Sequence, residues 1–137
     1  MPDTAEFARL HAASFTTPRP WSEAEIVNLL SSPLVFVCTE SGGFLLGRVI
    51  AGEAELLTLA VDPAERRKGI GRQLVAAFLE QAAKRDAQQA YLEVAATNTA
   101  AIDLYLSAGF APKGLRKAYY SVPNGTAIDA KIMTRGI

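Results

Sequence analysis

Apolar positions in residues 4–14 return at helical spacing. Phe7, Leu10 and His11 share one face with Ala8 beside them, and Thr4 is the expected N-cap. Turn residues at 16–20 interrupt the pattern. A second helix opens at Trp21-Ser22-Glu23-Ala24-Glu25. Ser22 as N-cap and Glu25 three residues on make a capping box, and Ile26, Leu29 and Leu30 supply the apolar face until Ser31-Ser32-Pro33 stops it. The rhythm then changes. Residues 34–39 are a β-branched and aromatic run, Ser41-Gly42-Gly43 is a hairpin turn, and residues 44–50 return. A third run, 54–61, completes an antiparallel meander and ends at Asp62-Pro63, where proline cannot donate to a ladder. From Ile70, the positions Leu74, Val75, Phe78, Leu79, Ala82 and Ala83 predict a long amphipathic helix. Residues 91–95 form a short strand. Asn98 caps a helix carrying Ile102, Tyr105 and Leu106, which Gly109 ends, and the runs 114–122 and 127–133 flank a hairpin signal at Pro123-Asn124-Gly125. The order ααβββαβαββ predicts one mixed α/β (α+β) domain over residues 1–137, around a central, mostly antiparallel sheet flanked by helices.

Composition narrows the function classes. Fourteen basic side chains balance fourteen acidic ones, which argues against a general nucleic-acid binder. Cys38, the single cysteine, sits in an apolar strand and reads as inert core, with no internal disulfide to make. No apolar run approaches the roughly 20 residues that span a bilayer, and the Lys/Arg-poor start is no signal peptide. A cytoplasmic protein with neither nucleic-acid nor membrane partners is expected. His11 has no second histidine or cysteine pair, so no metal is expected, and without G-x-S-x-G or a nearby acid there is no hydrolase triad. The neutral total hides an asymmetry: residues 1–64 carry three basic and eight acidic side chains, residues 65–72 four and one.

That basic segment is Arg66-Arg67-Lys68-Gly69-Ile70-Gly71-Arg72, between the third strand and the long helix. Two glycines allow close backbone approach to a ligand, and a helix start offers unpaired N–H groups and a positive dipole end, so the place suits an anion. Charge alone fits a solvated turn equally. A dinucleotide fingerprint would need glycine where Leu74 stands, and a Walker loop would need a hydroxyl after Gly-Lys; both fail. The remaining pattern, R-x-x-G-x-G after an antiparallel strand, resembles the acyl-CoA pyrophosphate loop of the GNAT N-acetyltransferases. The resemblance spans about residues 20 to 135. It includes Glu55-Leu56-Leu57-Thr58-Leu59-Ala60-Val61-Asp62-Pro63, Leu92-Glu93-Val94, Asn98, Ala101-Ile102, Leu104-Tyr105, Ala108-Gly109-Phe110, Tyr119-Tyr120 and Asp129-Ala130. With Trp21-Ser22-Glu23, these are similar to the branch that includes the bacterial ribosomal-protein-alanine N-acetyltransferases. One departure stands out: family members usually place a strand before the first helix, and this chain enters that helix within a few residues of Met1, so either the usual first strand is absent, leaving a sheet edge open, or the start is assigned late.

The resemblance implies acetyl-CoA as cosubstrate. The backbone of Leu59, Ala60 and Val61 would pair with its pantetheine arm, Arg66, Arg67, Lys68, Gly69, Ile70, Gly71 and Arg72 would wrap its pyrophosphate, and Asn98 would touch it as well as cap a helix. Strand alternation sets Glu93 opposite Leu92 and Val94; a carboxylate there is costly unless paired or useful, and it is the candidate general base, with a structural carboxylate as the alternative. Tyr105 fits core packing by periodicity, three residues beyond Ile102, while the resemblance makes it the acid that protonates the departing thiolate. Trp21, Tyr119 and Tyr120 would line an acceptor groove, or pack at a sheet edge. The expected activity is direct acetyl transfer to an amine, the N-terminal α-amine of a protein, ribosomal in the branch resembled, by a monomer or weak homodimer. A lysine or small-molecule amine acceptor, and a non-catalytic CoA-binding module, are the alternatives.

Overall fold

The two N-terminal helices are set by their caps. The computed structural model describes residues 3–15, 19–66, 68–121 and 127–137. Helix α1 is Thr4–Ser14, but its cap is Asp3, whose carboxylate accepts from the Glu6 N–H at 3.0 Å; the Thr4 hydroxyl instead donates to Glu23 at 2.7 Å and ties α1 to the next helix. Helix α2, Glu23–Leu30, has the full capping box of Ser22 and Glu25.

The strands β1 (Val35–Glu40), β2 (Gly43–Ile50) and β3 (Glu53–Val61) form the meander. A 3-10 turn at Pro63–Glu65 leads to α3 (Ile70–Lys84), then β4 (Gln89–Ala95), α4 (Thr99–Ser107), β5 (Ala111–Ser121) and β6 (Ala127–Gly136). The expected order holds. Among the described residues no strand precedes α1, and the sheet runs β1-β2-β3-β4-β6-β5 with β1 at one edge. The hairpin signal at 123–125 and the turn at 16–18 lie outside the described residues.

Two apolar clusters cover the two faces of the sheet. Ile70, Leu74, Val75 and Phe78 of α3 pack with Ile102 and Tyr105 of α4 against Leu45, Leu56, Leu92 and Val94. Phe7 and Leu10 of α1 and Ile26 of α2 pack against Phe44, Leu46 and Ala60 on the other face. Leu106 departs from its expected place. It is half-exposed, because α4 buries Ile102 and Tyr105 and the next residue turns about 100° away. Cys38 is buried in the first cluster, where burial pushes its thiol up to about 11.

Two local irregularities position the site. The β2–β3 register pairs Leu46 with Thr58 but Gly47 with Leu56, leaving Leu57 as an extra residue in β3. Before this bulge Leu56 faces α3; beyond it Thr58 and Ala60 face α1. The second irregularity is the β3–β4 pairing. It is parallel and lasts three residues, Glu53–Glu55 against Gln89–Tyr91. Past Glu55 and Tyr91 the strands part, and the sheet opens. No helix of the described residues is long and apolar enough to cross a membrane.

Candidate active site

The opening between β3 and β4 is a cleft of about 250 Å³. The β4-facing edge of β3 from Leu56 to Val61 has no strand beside it, so backbone groups there are available to an extended ligand. Glu93 enters from the α1 face, being opposite in phase to the buried Leu92 and Val94; Tyr105 enters from the α4 face. Asn98 reaches the same cleft while its side chain accepts from the Ala101 N–H at 3.2 Å and caps α4. Trp21, Leu59, Tyr119 and Tyr120 complete the expected set that the structure gathers there. Ala60 and Val61 are not in its lining: Ala60 is buried beneath α1 and Val61 packs on the α3 side.

Glu93 is partly enclosed, and its charge is met. Its carboxylate lies 3.2 Å from Arg116 Nε, and the Arg116 guanidinium also sits 5.1 Å over the Tyr119 ring. Tyr105 is buried with its ring edge-on to Phe110; burial drives its phenol above the ordinary tyrosine value, with the nearby Tyr120 adding to the effect. Tyr120 is pushed up to about 12, first by burial and then by the Glu93 charge. Both phenols are therefore neutral at physiological pH and can donate.

A bulge aims the tyrosines. The β5–β6 register slips between Arg116 and Tyr120, Ala118 takes φ +54°, and the Asp129 carboxylate accepts the Ala118 N–H at 2.8 Å. Tyr119 and Tyr120 then meet edge to face at 5.1 Å.

The glycine loop lies at the head of α3, apart from the cleft lining. Gly69 is the N-cap with φ +78°, a left-handed conformation that glycine adopts without strain. No side chain among the described residues caps α3 and its first turn holds no acid, so its N–H groups and dipole end face outward unmatched. Gly71 has a packing reason: a Cβ there would come within 3.1 Å of Leu104 on α4. Ile70 is buried in the α3 cluster, and Arg66, Lys68 and Arg72 are exposed. Lys68 pairs with Glu65 at 2.7 Å, a contact that its charge count alone did not anticipate. Arg67 lies outside the described residues. Among the described residues no three His, Cys, Asp or Glu side chains are arranged to hold a metal.

Sequence reasoning missed His11, Thr58 and Arg116. His11 and Thr58 line the cleft and are buried in it. Helical spacing marked His11 as inward-facing, but its partner is 47 residues away and reaches it through the Leu57 bulge. Burial pushes His11 down to about 4, the Glu25 charge opposing this only in part. The unfolded chain, with an ordinary value of 6.5, therefore takes up the proton first. The stability supplied by neutral His11 is complete above pH 6.5 and is lost as pH falls toward 4, by roughly 2 kcal/mol after allowing for screening by water in the cleft. Urea unfolding between pH 7 and 4.5 measures it, and His11→Phe is expected to flatten that slope.

A parallel pair that parts after three residues, beside a helix start with a bare, basic glycine loop, defines the acyl-CoA N-acyltransferase class of fold. The family model described as "Acetyltransferase (GNAT) family" matches residues 5–110. The chain belongs to that family, one of N-acetyltransferase enzymes. It is 39% identical over 118 residues to the [Ribosomal protein bS18]-alanine N-acetyltransferase of Escherichia coli, covering 83% of this chain and 79% of that one. The crystal structure of the ribosomal-protein-S18-alanine N-acetyltransferase from Escherichia coli superposes with TM-score 0.86 at 32% identity, over 98% of this chain and 88% of that chain. The N-alpha-acetyltransferase RimI of Mycobacterium tuberculosis is 39% identical over 142 residues, 97% of this chain and 86% of its own. Arabidopsis thaliana NAA60 in complex with acetyl-CoA shares the fold, with TM-score 0.85 at 18% identity over 98% of this chain and 93% of that chain.

Proposed function

We propose that this protein transfers the acetyl group of acetyl-CoA directly to the N-terminal α-amine of a protein, a ribosomal one by analogy with its named relatives. The observation that carries the reading is the splayed β3–β4 pair with Glu93 and Tyr105 entering the gap from opposite faces. The bare N-terminus of α3, with Gly69 as its cap and exposed Arg66, Lys68 and Arg72 around it, fits a pyrophosphate, and the unpaired edge at Leu59–Val61 fits an extended pantetheine arm. In this reading Glu93 takes the proton from the acceptor ammonium, directly or through one water. The free amine attacks the thioester carbonyl, amides of the open β3 edge stabilise the oxyanion, and Tyr105 gives a proton to the leaving sulfur. Trp21, Tyr119 and Tyr120 wall the acceptor side.

The acceptor class follows from proton affinity. With pKa near 8 for an α-amine and near 10.4 for lysine, the free-base fraction at pH 7.5 differs by roughly two orders of magnitude, so a single carboxylate base suits the α-amine. Purified protein, acetyl-CoA and a panel of peptides starting with alanine, lysine-containing peptides with blocked N-termini and small polyamines provide the test. Alanine-starting peptides are expected to be acetylated at the N-terminus with the highest kcat/KM. Acetylation confined to small amines would sink the proposal.

A further inference from the structure

Two buried polar groups of the cleft take no part in the chemistry above. His11 and Thr58 are 1% and 6% exposed, and His11 Nε2 lies 2.9 Å from Thr58 Oγ1. The other ring nitrogen fixes the direction of that bond. The Trp21 backbone N–H can only donate, and it points at His11 Nδ1 from 3.0 Å, so Nδ1 is the lone-pair nitrogen and the ring hydrogen resides on Nε2. Nε2–H therefore donates to Thr58. The hydroxyl hydrogen of Thr58 is left over, and among the described residues it has no acceptor.

The imidazole is held in this orientation. It stacks on Phe15 at 4.3 Å and on Trp21 at 5.1 Å; flipping the ring would replace Nδ1 by a C–H at the Trp21 N–H, and moving the ring hydrogen to Nδ1 would set two donors against each other there. The Leu57 bulge turns Thr58 to the α1 face of the opening, the face from which Glu93 enters. An acceptor amine placed for Glu93 thus shares its cleft with the Thr58 hydroxyl as a further hydrogen-bond donor. In a peptide α-amine the first carbonyl oxygen lies within about 3.5 Å of the nitrogen, by bond lengths alone. A lysine side chain or simple alkylamine has no oxygen there.

We infer that Thr58 donates its hydroxyl hydrogen to the first carbonyl of the acceptor chain, and that His11 is the positioning residue that fixes this donor, so that the pair selects peptide α-amines over amines without an adjacent carbonyl. This rests on the function proposed above, and it adds a specificity element outside the Glu93 and Tyr105 chemistry.

Steady-state kinetics of the full chain separate the two ideas. Two acceptors are used: a peptide starting with alanine, and an alkylamine of similar length lacking the first carbonyl. Thr58→Val keeps the shape of the side chain and is expected to raise the peptide KM about tenfold, the worth of one hydrogen bond. It should leave kcat, the acetyl-CoA KM and the alkylamine kcat/KM within about twofold of the parent. Thr58→Ser restores the peptide KM. His11→Phe keeps the ring stack but removes both hydrogen bonds; it should reproduce the Thr58→Val pattern, and the double variant should add little. A Thr58→Val peptide KM within about twofold of the parent, or an equal loss on both acceptors, overturns the inference and leaves the acetyltransfer reading standing. A parent protein that acetylates no peptide overturns both.

Discussion

Glu93→Gln is expected to lower kcat/KM for a peptide acceptor by about 10²- to 10⁴-fold at pH 7, the range that a positioned general base contributes. The substitution keeps the shape of the side chain and a hydrogen-bonding oxygen for Arg116, so the loss falls on proton transfer. Stability should change by less than about 1 kcal/mol, because the Arg116 partner is half-exposed and the pair is screened. Acetyl-CoA binding, which the proposal assigns to the N-terminus of α3 and the open edge of β3, should be unchanged. The pH profile carries the mechanistic content: as pH rises toward the acceptor's own pKa near 8, the amine arrives already neutral and the variant should recover part of its deficit. Steady-state rates from pH 6 to 9.5 measure this, and a variant retaining most of the parent rate at pH 7 would place the base elsewhere.

Tyr105→Phe is the second large effect, an expected loss of about 10²-fold in kcat with both KM values nearly unchanged. Burial raises this phenol above the ordinary tyrosine value, so its proton is available at physiological pH. Phenylalanine preserves the edge-on contact with Phe110 and the packing beside Ile102, which leaves the melting temperature close to the parent value. The signature of a missing acid is selective: a thioester of a more acidic thiol leaves without protonation, and with such a donor the gap between variant and parent should narrow. An unchanged kcat would reduce Tyr105 to a core residue, the role its spacing from Ile102 also fits.

What the sequence made legible was local or periodic. The Ser22–Glu25 box, the four-residue spacing from Ile70 to Phe78, the Asn98 cap and the Asp62-Pro63 stop each act within one element, and each reappears in the structure. The cap of α1 moved by one residue because Asp3 and Thr4 can both serve, and a carboxylate accepted the bond while the hydroxyl found Glu23. Relations between distant elements were hidden. Period-two alternation carries no trace of the extra residue at Leu57, yet that residue turns Thr58 toward His11. The short parallel pairing of β3 with β4, which opens the cleft, depends on register between residues 36 apart and on a helix crossover. Arg116 carried no signal of its own until the order β4-β6-β5 let it reach across β6 to Glu93. The two glycines of the loop also separated in role, Gly69 by its backbone angle and Gly71 by the side chain of Leu104.

The bulge at Ala118 bears on solubility as well as on the tyrosines. Strand β5 is an eleven-residue edge, exposed over residues 111–119, and a straight strand of that length would offer a ladder of free backbone groups for another chain to extend. Two breaks in register, Pro112 with no N–H to give, and the charges of Lys113 and Lys117 spoil that template. Asp129 goes further by occupying the Ala118 N–H from within the molecule. The irregular geometry that turns two aromatic rings together at the cleft thus also makes the β5 edge a poor template for a strand from another molecule.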